Sequence, residues 1–128
     1  MKIQKLLYLI LTALLAAPAV EAIVPAMPDL VIEKTTQTSS TFWSVQVKNV
    51  GKLDSAPTTL KMVATPGGSY SCPVGAVKAG GMIEVPCKMP FKSQKNMRCE
   101  FILNPDKTVA EASYSNNRTT TLTNPKFN

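Results

Sequence analysis

The side chains in this chain that could do chemistry are few: Cys72, Cys87 and Cys99; the cations Lys88, Lys92, Lys95 and Arg98; and the oxygen-rich set Asp106, Glu111, Asn116 and Asn117. Histidine is absent from all 128 residues. That removes the commonest general base and the usual activator of a serine or cysteine nucleophile. Zinc is disfavoured for a related reason, because three scattered cysteines without a histidine leave a fourth ligand unsupplied. In an oxidising compartment two of the three cysteines are expected to join, leaving one over, and the spacing alone does not choose among the three pairings. A bridge from Cys72 to Cys87 would close a loop of about 15 residues, worth roughly 3 kcal/mol by the chain-entropy estimate.

Asp106, Glu111, Asn116 and Asn117 carry the oxygens that calcium prefers. Asp and Asn also close turns by bonding to nearby backbone, and Glu111 is placed to hold the long loop before the last strand, so a loop-stabilising role is the better reading. The cluster Lys88, Lys92, Lys95 and Arg98 lacks interleaved aromatic residues that could stack on bases. A solvated loop face is therefore expected, with binding of an anionic polymer as the sharper alternative and no nucleic-acid partner. Asp29, Glu33, Asp54, Glu84 and Glu100 fall mostly at outward strand positions or turns. No catalytic set, cofactor site or metal site is expected, which leaves a small secreted hydrolase as the remote alternative.

These side chains need elements to hold them and a compartment to work in. Residues 1–22 read as a signal peptide: Lys2 and Lys5 come first, Leu6 to Val20 is almost wholly apolar, and Val20-Glu21-Ala22 suits a signal peptidase. The apolar run is about fifteen residues, short of the roughly 20 a membrane span requires. Cleavage would leave 106 residues with 12 basic and 7 acidic side chains, a net charge of +5. That length is one domain, and the location is periplasmic or extracellular with no membrane span. Residues 23–28, with two prolines, read as a short linker, 29–124 as the domain, and 125–128 as a tail.

Apolar and polar residues alternate in short runs bounded by Pro, Gly or Asn, which predicts strands and an all-β fold. The expected strands are Leu30 to Lys34, Phe42 to Lys48, Thr59 to Ala64, Tyr70 to Val74, Met82 to Met89, Asn96 to Leu103 and Arg118 to Thr123. In the second, Trp43, Val45 and Val47 share the core face; in the sixth, Met97, Cys99, Phe101 and Leu103 do. Pro73 and Pro86 place the fourth and fifth strands at a sheet edge or a bulge, where a missing N–H is tolerated. Seven short strands in about 100 residues predict a seven-stranded immunoglobulin-like β-sandwich.

Several segments carry a family resemblance: Pro28-Asp29-Leu30-Val31-Ile32, Val45 to Gly51, Gly75 to Gly81, and Leu103-Asn104-Pro105-Asp106 through Val109-Ala110-Glu111 to Asn116-Asn117. In this order they resemble the bacterial cell-adhesion-related domain, CARDB, from Asp29 to Leu122. The resemblance implies a seven-stranded sandwich in a surface or periplasmic setting and no catalytic residue set. Such domains often occur as tandem modules, whereas here one domain makes up nearly the whole mature chain. The pattern Ser71-Cys72-Pro73 with Cys87 at the end of the next strand resembles a disulfide of related surface sandwiches, and on that resemblance Cys72 and Cys87 form the pair. Cys99 is then expected to be a buried free thiol, with pairing to a partner chain as the sharper alternative. The expected function is an exported non-catalytic protein-interaction module whose partner is an envelope or surface protein; the alternative is cell adhesion through an anionic envelope polymer.

Overall fold

The computed structural model describes residues 25–128. The expected signal peptide, and the first two residues of the expected linker, lie outside them. Seven strands follow in chain order: β1 (Leu30–Gln37), β2 (Phe42–Asn49), β3 (Thr58–Thr65), β4 (Ser69–Val74), β5 (Met82–Lys88), β6 (Arg98–Leu103) and β7 (Arg118–Leu122). They form two antiparallel sheets, β1-β2-β5 and β4-β3-β6-β7. This is the all-β, seven-stranded sandwich expected from the alternation of apolar and polar residues.

The core lies between the sheets and is built from the inward half of each alternation. Trp43, Val45, Val47, Val85 and Cys87 come from one sheet; Leu60, Met62, Cys72, Cys99, Phe101 and Leu103 come from the other. Trp43 meets Phe101 edge-on across the two sheets, ring centroids 5.3 Å apart, a favoured arrangement of aromatic quadrupoles. Trp43 also sits directly opposite Cys87 in the β2–β5 ladder. Cys72 on β4 and Cys87 on β5 are joined, so the disulfide ties one edge strand of each sheet to the other. Cys99 is free and buried beside Phe101, and burial raises its thiol to a pKa of about 11.

Beyond shifts of a single residue, two boundaries and one burial differ from expectation for local reasons. Asn96 has φ of 62°, a left-handed conformation that cannot sit in a ladder, so β6 begins at Arg98 rather than Asn96. β1 runs on to Gln37, because a bulge between Ile32 and Lys34 resets its register on β2 and allows pairing through Gln37↔Trp43. Ile83, expected inward, is only half-buried, for it lies near the end of an edge strand. The segment 125–127 forms a single 3₁₀ turn, and Ser93 donates to the Phe127 carbonyl at 3.2 Å and to Asn128 Oδ1 at 3.0 Å. Among the described residues no helix is long and apolar enough to cross a membrane.

Candidate functional site

The loop between β6 and β7 builds a dense polar cluster centred on the buried Glu111. Glu111 Oε1 accepts from the Leu30 backbone N–H at 2.6 Å, on β1 of the opposite sheet. Its Oε2 accepts from Asn104 Nδ2 at 2.8 Å and from Asn117 Nδ2. Asn104 is the second hub. With φ of 51° it turns the chain out of β6, a conformation that Asn tolerates better than most side chains. Its Nδ2 also donates to the Val109 carbonyl at 2.7 Å, while its Oδ1 accepts from Thr58 Oγ1 at 3.0 Å and from the Val109 N–H at 3.2 Å. The loop thereby fastens the starts of β1, β3 and β7 to the end of β6.

Of the four residues expected to stabilise this loop, Glu111 and Asn117 meet directly. Asn116 donates to Asp29 Oδ1 at 3.0 Å and so holds the start of β1 separately. Asp106 is exposed on the turn and stands outside the network; Asn104, two residues earlier, occupies the position that the sequence reading gave to it. Calcium does not suit the cluster, because both Glu111 oxygens are already engaged by N–H donors that a cation would have to displace. Among the described residues no three His, Cys, Asp or Glu side chains gather with metal-binding geometry.

A third hub, on the far side of β1, was legible only as a turn. Asn49 is fully buried; its Oδ1 accepts from the Asp29 and Gly51 N–H groups, each at 3.0 Å, and its Nδ2 donates to the carbonyls of Leu53 at 2.8 Å and Val77 at 3.0 Å. All four of its side-chain hydrogen-bonding positions are thus filled. Gly51 is required here by close approach: a Cβ would run into the Met27 carbonyl oxygen and the Asp29 nitrogen.

The basic residues are exposed but divided between the sheets. Lys88 ends β5 in the three-stranded sheet, Arg98 opens β6 in the four-stranded one, and Lys92 and Lys95 lie on the crossover between them. Lys88 also stands over the Phe42 ring at 5.8 Å. A cleft of about 340 Å³ opens where β6 ends and β7 begins, lined by Pro105, Lys107, Tyr114, Ser115, Asn117 and Arg118 among others. Lys107 lies over the Tyr114 ring, 4.9 Å from its centre.

Two antiparallel sheets cross-tied by a disulfide, with Glu111, Asn104 and Asn49 fastening the loops at one end, define an immunoglobulin-like module. The family model for CARDB matches residues 27–121. The chain belongs to the CARDB family. No curated protein matches it by sequence.

Solved structures resemble the fold. A domain (272–376) from a Methanosarcina acetivorans protein, named for the cell surface, aligns with TM-score 0.65 at 20% identity, covering 75% of this chain and 90% of that one. The CARDB domain of a Pyrococcus furiosus protein, solved in complex with di-metal ions, aligns with TM-score 0.60 at 20% identity over 76% and 92% of the two chains. The archaellum periplasmic stator complex of FlaF and FlaG from Sulfolobus acidocaldarius aligns with TM-score 0.51 at 13% identity over 84% and 98%.

Proposed function

We propose that this protein is an exported, non-catalytic interaction module that works at the cell surface or in the periplasm by binding another envelope protein. The observation that carries the reading is the use of its polar chemistry. The carboxylate best placed to act, Glu111, is consumed by three donors that hold the two sheets together, which leaves recognition surfaces rather than reactive groups. Family membership supports a surface setting, as does the Cys72–Cys87 disulfide, since such bonds persist in oxidising compartments. The stator complex among the structural relatives is itself a protein–protein assembly. The two metal ions of the Pyrococcus domain do not transfer to the Glu111 cluster, whose oxygens face N–H donors.

A second reading rests on the exposed cations. Lys88, Lys92, Lys95 and Arg98 could hold an anionic envelope polymer, and such binding would weaken as salt shortens the screening length. Reversing all four charges and measuring retention on cell-envelope material separates the two. Protein binding by the module predicts retention that the reversal and added salt weaken but do not abolish. Polymer binding predicts that both abolish it.

A further inference from the structure

A sandwich of two open sheets has four edge strands, each a template on which a foreign strand could pair. Three of the four are closed here. In β4 the ladder to β3 uses the even-numbered residues, as the Ala64 N–H to Gly68 carbonyl bond and the Thr58↔Val74 register require, so Pro73 falls on the free edge and removes a donor there. In β5 the Met89 and Asn49 backbone bonds to β2 and the preceding turn put the odd-numbered residues on the ladder, so Pro86 likewise falls on the free edge. In β1 the outward Leu30 N–H is already held by Glu111, the middle is bent by the bulge near Glu33, and the far end is covered where Gln37 Oε1 accepts from the Asn124 N–H at 2.7 Å.

β7 has no such device. Its ladder to β6 runs through Asn117, Thr119, Thr121 and Thr123, fixed by the Leu103 N–H to Asn117 carbonyl and Thr123 N–H to Met97 carbonyl bonds at its two ends. The backbone groups of Arg118, Thr120 and Leu122 therefore point away from the sheet. Leu122, at 66% exposure, is the most exposed large apolar residue among those described. We infer that β7 is a docking edge, on which an extended segment of another polypeptide bearing acidic side chains adds as a fifth strand. Charge decides the occupant. On this face lie Arg118 on β7, Arg98 directly opposite Leu122, and Lys126 on the following turn, with Glu100 pairing with Arg118 at 3.9 Å. A second copy of the chain would bring the same cations against themselves, whereas an acidic strand would meet them with opposite charge.

This inference rests on the interaction-module reading but fails independently of it. The test titrates an acetylated and amidated peptide alternating Glu and Val into the isotope-labelled protein, with a Lys and Val peptide as control. The acidic peptide is expected to shift the amide signals of Arg118, Thr120 and Leu122, and the control is not. Thr120→Pro deletes an N–H that makes no ladder bond, so the domain should stay folded while its affinity for the peptide falls about ten-fold. Arg118→Glu keeps the backbone and should weaken the acidic peptide about five-fold. Three results would each overturn the assignment: no shifts at millimolar peptide, shifts confined to another strand, or the same amides moving with protein concentration in the absence of peptide. None of them touches the module reading, which capture of an envelope partner tests separately.

Discussion

Replacing Glu111 by Ala should strongly destabilise this domain. The carboxylate accepts from the Leu30 N–H, Asn104 Nδ2 and Asn117 Nδ2 in a buried setting. Removing it leaves those donors facing protein without a partner, at about 1–3 kcal/mol for each buried group. Asn104 keeps its bond to Val109, and relaxation lets some water reach the site, so the three costs do not add fully. A net loss of about 3–4 kcal/mol follows, and at roughly 4–8 °C per kcal/mol for a domain of this size the melting temperature should fall by about 12–32 °C. Glu111→Gln keeps the shape and one acceptor but turns an NH₂ toward a donor, and should cost about half as much. Urea unfolding followed by Trp43 fluorescence measures both. A loss below about 1 kcal/mol for the Ala variant would refute the assignment of Glu111 as the tie between the sheets.

Other consequences follow from the same geometry. Replacing both Cys72 and Cys87 by Ala should lower stability by about 3 kcal/mol, because the bridge closes a loop of 15 residues; an unchanged urea midpoint would contradict it. Cys99 should react with a thiol reagent at pH 8 only after denaturant is added, since the group is buried and its pKa is pushed up to about 11; labelling of the native protein within minutes would disprove its burial. The sign of the linkage follows. The folded thiol holds its proton more tightly than the unfolded one, so this contribution is full below the ordinary value of 9.0 and is lost as pH rises toward about 11. Cys99→Ala should flatten that decline in stability. Gly51→Ala should cost about 1–3 kcal/mol, because the new Cβ meets backbone at Met27 and Asp29 that cannot swing aside; a neutral melting temperature would show that the β2 turn is free to move.

The strands were legible because alternation is a local signal: Trp43, Val45 and Val47 declare an inward face within five residues, and β2 buries all three. Pro73 and Pro86 were legible as edge markers for the same reason, since a missing donor restricts a strand wherever it lies. The hubs were not. Asn49 read only as part of a turn and Asn104 only as part of the segment resembling CARDB, and their roles depend on partners brought near only by the fold; Glu111 reaches Leu30 across 81 residues. Asp106 sat in the expected loop but on its solvent side, and no local pattern distinguishes it from Asn104. Proximity along the chain also misled in the basic cluster, where ten residues from Lys88 to Arg98 cross from one sheet to the other.

The central claim, that this CARDB domain binds an envelope protein, is tested most directly by cross-linking capture from the protein's own envelope fraction. The bait is the chain from Ile23 to Asn128, run beside its Thr120→Pro variant on non-reducing gels. The account predicts one stoichiometric protein band that high salt weakens but does not abolish and that the variant captures about ten-fold less. A band that the variant captures equally would move the contact away from β7 and leave the module reading intact. Enrichment of polysaccharide or lipid alone, released by salt, would contradict the claim and give the lead to adhesion through Lys88, Lys92, Lys95 and Arg98.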